Sequence, residues 1–207
     1  MKAKSTVFVV DDDKAMRESL KYLIESVGHQ VQTFSSANAF LESAYPGRSG
    51  CLLLDVRMPG MSGLELQERL IQDKIALPII VITGHGDVPM AVRAMQSGAF
   101  DFIEKPFNHQ FLLDSIHRAL EQDSIQRSEQ ADRAEVASRL ALLTPREHEV
   151  MEMVVEGQPN KVIASQLGVS AKTVEAHRAK VMEKMQARSL PQLVRMAING
   201  GVFKSAS

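Results

Sequence analysis

Thr6-Val7-Phe8-Val9-Val10-Asp11-Asp12-Asp13 joins a strand-like apolar run to three successive carboxylates. The arrangement returns at Cys51-Leu52-Leu53-Leu54-Asp55, an apolar run ending in Asp. Ile79–Thr83 ends in a hydroxyl and Gly84, and Asp101–Ile103 is followed by Lys105-Pro106. With Gln30–Phe34 these make five runs, each about strand length and near-continuously apolar, as strands covered on both faces are. Helix patterns lie between them. Met16, Leu20, Leu23, Ile24 and Val27 recur at helical spacing before Gly28. Phe40-Leu41, then Leu64, Leu66 and Leu70 after Gly63, then Met90 to Met95 between Pro89 and Gly98, mark three more. A fifth is expected from an Asn108 cap, carrying Phe111, Leu112, Ile116 and Leu120. Strand–helix alternation of this kind predicts an α/β, doubly wound parallel sheet.

In such a sheet ligands sit at the carboxyl ends of the strands. Asp11, Asp12, Asp13, Asp55, Thr83 and Lys105 all stand at or just beyond such ends. Carboxylates crowded together repel, and a hard divalent cation such as Mg²⁺ (or Mn²⁺) relieves this. Lys105 adds a positive charge suited to a phosphoryl group, and Thr83 offers a hydroxyl to a phosphate oxygen. One carboxylate can then act as a nucleophile, because phosphoryl transfer needs mainly positioning and charge neutralisation. Each residue also has a plainer reading. Asp13 serves as a helix N-cap, Thr83 as a β-branched strand residue, and Lys105-Pro106 as a turn. The order at successive strand ends is what favours the chemical reading.

The chain has 207 residues and a net charge of −1, with 44% hydrophobic and 24% charged residues, an ordinary globular composition. The charge is uneven. From Ala141 onward there are five Lys and four Arg against six Glu and no Asp, a net +3, and the remainder is −4. An acidic front and a basic back suit different partners. The absence of a run of about 18 uncharged apolar residues predicts no membrane partner. Met1 to Thr6 lacks the apolar core of a signal peptide, so a cytoplasmic protein is expected. Cys51 is the only cysteine, which excludes an intrachain disulfide.

Charge-rich sequence from Glu121 to Arg139, without Pro or Gly, reads either as a helical linker with a coiled-coil seam or as a solvated spacer. The expected division is therefore 1–120, a linker 121–140, and 141–207. The last part holds only helix patterns. Thr144, Pro145 and Glu147 form a capping box with Pro at N1. Val150, Met151, Val154 and Val155 give one apolar face, closed by Gly157. Asn160 begins a short helix with Val162, Ile163, Ala164 and Leu167, and Gly168-Val169-Ser170 joins it to the next. Val174, Val181 and Met185 are expected to face inward. A last helix carries Leu190, Leu193, Val194 and Ile198. These four helices contain a helix-turn-helix.

The outer face of the 171–186 helix sharpens that reading. Lys172, Thr173, Arg178, Lys180 and Lys184 suit phosphate contacts. Glu175, Ala176 and Ala179 share one face, where a recognition helix reads bases. His177 either touches phosphate or fills space beside Val174 and Val181. Asn160 and Lys161 complete the candidate DNA contacts.

Val9-Val10-Asp11-Asp12-Asp13, Leu54-Asp55-Val56-Arg57-Met58-Pro59-Gly60, Gly63, Thr83-Gly84-His85-Gly86 and Lys105-Pro106-Phe107 resemble the signature of receiver domains, and more narrowly the FixJ-type response regulators. Leu143–Glu147, Thr173–Arg178 and Met182–Met185 resemble the LuxR/FixJ-type output domain. The resemblance implies a receiver with strand order 2-1-3-4-5 joined to an all-α, four-helix LuxR-type helix-turn-helix domain. It implies that Asp55 accepts phosphate from a sensor histidine kinase. Asp11, Asp12, Asp55 and the Arg57 backbone carbonyl would hold Mg²⁺, Lys105 would pair with the phosphate, and Lys105–Pro106 would be cis. Thr83 and Phe102 would be the switch, although by pattern Phe102 reads equally as core. Phosphorylation would favour a homodimer through helix four and strand five. The dimer would bind double-stranded promoter DNA and activate transcription by recruiting RNA polymerase. The last helix would be a dimer contact, or simply core. Gln158-Pro159 departs from the Ser-type cap of relatives and is expected only to tighten a turn.

Two rivals remain at this level. A Mg²⁺-dependent phosphatase of the haloacid dehalogenase type would make Asp11 the nucleophile, but it needs an acidic pair after the lysine and leaves the basic helices unexplained. A phosphate-independent receiver joined to the same DNA-binding domain would leave the acidic cluster without use.

Overall fold

A computed structural model describes residues 5–43, 48–84 and 88–202. The chain forms two compact units, Met1–Arg127 and Ser128–Ser207, each described by itself.

In the first unit, β1 (Thr6–Val10), β2 (Gln30–Phe34), β3 (Gly50–Asp55), β4 (Ile79–Thr83) and β5 (Asp101–Glu104) form one parallel sheet in the order β2-β1-β3-β4-β5. Side chains alternate across it. Phe8, Val10, Leu52, Leu54, Ile79 and Val81 pack on one face with α2 (Ala37–Glu42), α3 (Gly63–Gln72) and α4 (Val88–Gln96). Val7, Val9, Cys51, Leu53, Ile80, Ile82 and Ile103 pack on the other with α1 (Lys14–Ser26) and α5 (His109–Leu140). The two-sided cover explains the apolar runs of β1, β3 and β4. It does not hold for β2, whose residues are exposed or half-buried. Gln30, Gln32 and Thr33 make it an edge strand, so the expectation of cover on both faces fails there. Phe111, expected on the apolar face of α5, is also exposed, while Leu112 and Ile116 are buried.

The caps follow the sequence. Asp13 Oδ1 accepts from the backbone N–H of Ala15 at 2.8 Å, so Asp13 is the N-cap of α1. Asn108 Oδ1 accepts from Gln110 N–H at 2.7 Å and starts α5. Two glycines are demanded by close approach. Gly50 has φ +143°, and a Cβ there would lie 1.7 Å from the Thr6 carbonyl oxygen. A Cβ on Gly63 would lie 2.2 Å from the Asp55 carbonyl oxygen.

α5 continues without a break to Leu140, and the boundary between the units falls inside it. Asp123 is buried and accepts from Ser49 Oγ and Gly50 N–H, both at 2.9 Å, tying α5 to the start of β3. Burial first, and the Asp123 charge second, push the neighbouring Cys51 thiol up to about 12. Further along, Val136 and Leu140 pack into the core of the second unit. The stretch expected as a linker thus carries packing residues of both units. Among the described residues no helix is long and apolar enough to cross a membrane.

The second unit contains α6 (Pro145–Val155), α7 (Asn160–Leu167), α8 (Ala171–Lys184) and α9 (Leu190–Asn199). Thr144 and Glu147 form the expected capping box, with Pro145 in the first turn of α6. Gly168, at φ 65°, closes α7, and Ser170 caps α8. Pro159 stands at the α7 N-cap with no side-chain hydrogen bond. Val174, Val181 and Met185 are buried. The buried face of α9 is Leu193, Met196 and Ala197, whereas Leu190 and Ile198, expected on the same face as Leu193, are exposed.

Gly50→Ala should destabilise the first unit by more than about 4 kcal/mol, because backbone rather than a movable side chain blocks the new methyl. Urea unfolding followed by circular dichroism checks this; a loss below about 1 kcal/mol would contradict it.

Candidate functional site

β1 and β3 are parallel neighbours, so their carboxyl ends place Asp11 and Asp55 on one rim. Both are buried, at 3% and 7% exposure. Buried carboxylates need charge or hydrogen-bond partners. Lys105, from the loop after β5, supplies both: its Nζ donates to Asp11 Oδ2 at 2.9 Å and to Asp55 Oδ1 at 2.7 Å. Lys105–Pro106 is cis, and the Lys105 backbone N–H donates to the Thr83 carbonyl at 2.7 Å. Asp55 Oδ2 accepts from Arg57 N–H at 2.8 Å, and Asp11 Oδ1 from Asp13 N–H at 2.8 Å. Arg17 donates to the Asp11 backbone carbonyl at 2.7 Å, a support that helical spacing alone did not single out.

Burial raises the proton affinity of Asp55, and the Asp11 charge adds to this. Lys105 and the Arg57 N–H work in the opposite direction. Burial also acts to discharge Lys105, but its bonds to Asp55 and Asp11 prevail and hold the ammonium above its usual range. The site is therefore an ammonium bridging two buried carboxyl groups. Thr83 is buried at the end of β4, and Phe102 is half-buried against the core shared with α4. Asp12 is exposed beside them. His85 and Gly86 lie outside the described residues.

Among the described residues no group of three or more His, Cys, Asp or Glu stands close enough to hold a metal alone. This donor set suits Mg²⁺ nonetheless, because that ion retains several waters and takes only one or two carboxylates. The two buried carboxylates, Asp11 and Asp55, meet that demand.

In the second unit α8 presents Lys172, Thr173, Glu175, Ala176, Ala179 and Lys180 outward, with His177 and Arg178 half-buried. Arg178 Nη1 donates to Asn160 Oδ1 at 2.8 Å, joining the middle of α8 to the start of α7, where Lys161 is exposed. Thr173 Oγ1 lies 2.8 Å from Ser170 Oγ and its N–H is capped by the same hydroxyl. His177 Nδ1 is buried without a hydrogen-bond partner among the described residues. Lys184, read from the sequence as suited to phosphate, already has a partner: its Nζ donates to the buried Glu147 at 2.5 Å. Arg139 donates to the Met185 carbonyl and Arg146 to the Leu167 carbonyl, so these cations close helix ends.

The pattern of the response regulator receiver domain matches residues 7–139, and that of the bacterial regulatory proteins of the luxR family matches 141–197. The chain belongs to the FixJ-type response regulators. It is 47% identical over 204 residues to the transcriptional regulatory protein FixJ of Bradyrhizobium diazoefficiens, covering 98% of this chain and 99% of that one. Its fold resembles that of the response regulator StyR, with a TM-score of 0.88 at 46% identity over 95% of this chain and 99% of that chain. Full-length FixJ from B. japonicum matches at a TM-score of 0.60 and 44% identity over 98% and 100%. The first unit is thus a receiver domain and the second a LuxR-type domain, the make-up of a transcriptional response regulator.

Lys184 and the Thr144 N–H hold Glu147 well below the usual carboxylate range, at about 2. A depressed carboxyl stabilises the fold above its unfolded value of 4.5 and loses that contribution as pH falls toward about 2. Wild type should therefore melt above Glu147→Gln at pH 7, converge on it between about pH 4.5 and 2, and match it below. Thermal melts at pH 7, 4 and 2 check this; a gap that stays constant with pH would contradict it.

Proposed function

We propose that this protein is a phosphorylation-controlled transcription factor. Asp55 accepts a phosphoryl group from a sensor histidine kinase, the phosphorylated receiver pairs with a second copy, and the paired output domains bind double-stranded promoter DNA and recruit RNA polymerase. The observation that carries this reading is the Lys105 ammonium within bonding distance of both Asp11 and Asp55 at the carboxyl ends of the sheet. An Asp55 carboxylate oxygen forms the new O–P bond as the P–N bond of the kinase phosphohistidine breaks. Lys105 then neutralises phosphate charge, and the Thr83 hydroxyl donates to a phosphate oxygen. Asp11, Asp12, Asp55 and the Arg57 carbonyl would hold Mg²⁺ or Mn²⁺, which supplies positive charge for the transferring phosphoryl group.

Thr83 and Phe102 adjoin the face that we assign to dimerisation. α4 turns Val88, Val92 and Met95 outward at i, i+4 and i+7, a stripe that a second copy would cover. In the output domain Asn160, Lys161, Lys172, Thr173, His177, Arg178 and Lys180 contact phosphates, while Glu175, Ala176 and Ala179 read base edges. We assign phosphoryl chemistry to 1–120 and DNA binding to 141–207, with 121–140 between them.

Acetyl phosphate and Mg²⁺ should shift the full chain from monomer to dimer in sedimentation and tighten its binding to a labelled 30-base-pair duplex of random sequence. Arg178→Ala should weaken that binding about tenfold, or 1.4 kcal/mol, while leaving dimerisation intact. Lys172→Ala should reduce the salt slope of binding by about 1. A dimer that forms equally without acetyl phosphate, or DNA binding indifferent to both substitutions, would contradict the proposal.

A further inference from the structure

α3 is tied to two places at once. Its first residue, Gly63, donates its N–H to the Val56 carbonyl at 2.9 Å and lies directly on the backbone of Asp55. About one turn later stands Gln67, fully buried at 0% exposure. Its Nε2 donates to the Ala94 carbonyl at 3.0 Å and to the Ser97 carbonyl at 2.7 Å. Both belong to the C-terminal end of α4, where the Ala99 and Gly98 N–H groups return to Ala94 and Met95 and Gly98 has φ 79°. Helix ends leave carbonyls without partners in their own helix. Here an amide from another helix supplies the Ser97 carbonyl just past the end of α4 and adds a second donor to the Ala94 carbonyl, which also accepts from the Ala99 N–H.

The amide can point only one way. Turned over, Oε1 would face two acceptors. As placed, Oε1 is buried and has no hydrogen-bond partner among the described residues. A half-satisfied buried amide is a costly way to fill a helix contact, where leucine or methionine would serve as well by volume. Packing does not account for this residue; the bonds to α4 do.

We propose that Gln67 is a positioning residue that couples the phosphoryl site to α4. It fastens the α4 C-terminus to the helix seated on the Asp55 backbone. This rests on the assignment of Asp55 as phospho-acceptor given above. A displacement of the Asp55 loop moves the first turn of α3, and the Gln67 amide carries that movement to α4 and its outward Val88, Val92 and Met95.

The test compares the full chain with Gln67→Leu and Gln67→Met, two apolar residues of different shape, so that a shared effect reports the lost amide. Three quantities are read: hydrogen exchange at the Gly98 and Ala99 amides, phosphoryl uptake from acetyl phosphate by intact mass, and self-association with and without that phosphoryl donor. Both variants should exchange at least about tenfold faster at those amides. Uptake should stay within about twofold of wild type, and the phosphoryl-induced tightening of self-association should shrink at least about fivefold. Unchanged exchange would overturn the clamp, and a wild-type tightening despite faster exchange would overturn the coupling. A wild type that takes up no phosphoryl group would instead overturn the Asp55 assignment itself.

Discussion

Two carboxyl groups buried side by side at the ends of adjacent strands are unstable without a cation between them, and the Lys105 ammonium meets that need. Much of the receiver domain's architecture serves this contact. β1 and β3 must be neighbours for Asp11 and Asp55 to share a rim. β4 and β5 must follow on the same side for the loop carrying Lys105 to reach back. Gly63 must lack a side chain for α3 to close against the Asp55 backbone. The same burial that makes the ammonium necessary raises the proton affinity of Asp55, so the surroundings oppose the charge of the group assigned as nucleophile.

What could be read from the sequence followed from how strongly each position is constrained. Strands buried on both faces leave continuous apolar runs, so β1, β3 and β4 and the residues at their ends were legible. β2 was misjudged because one covered face and an exposed edge admit Gln and Thr. Thr144, Glu147 and Pro145 announced the start of α6 through local chemistry, which needs no knowledge of the rest of the fold. The partner of Glu147 was hidden. Lys184 lies 37 residues away on a helix whose other lysines face outward, and composition alone cannot separate a cation that pairs inside from one that waits for phosphate. Gln67 and Asp123 were missed because each bonds to groups on a distant element, Gln67 to carbonyls at the C-terminal end of α4 and Asp123 to Ser49 and Gly50, which leave no periodic trace.

The output domain shows the same economy of cations. Arg139, Arg146 and Lys184 hold helix ends or a buried carboxylate, and the outward side of α8 retains Lys172 and Lys180, with Arg178 held by Asn160. With those cations so occupied, the outward positions of α8 carry Lys172 and Lys180 beside a single acidic residue in their midst, Glu175. α5 contributes to the cores of both units, through Leu112 and Ile116 in one and Val136 in the other.

The most direct measurement is the intact mass of the full chain after incubation with acetyl phosphate, with and without Mg²⁺, for wild type and Asp55→Asn. The account predicts one added phosphoryl group that requires both Mg²⁺ and Asp55. No adduct on wild type, under conditions that label another receiver domain, would contradict it, as would an adduct that persists in Asp55→Asn.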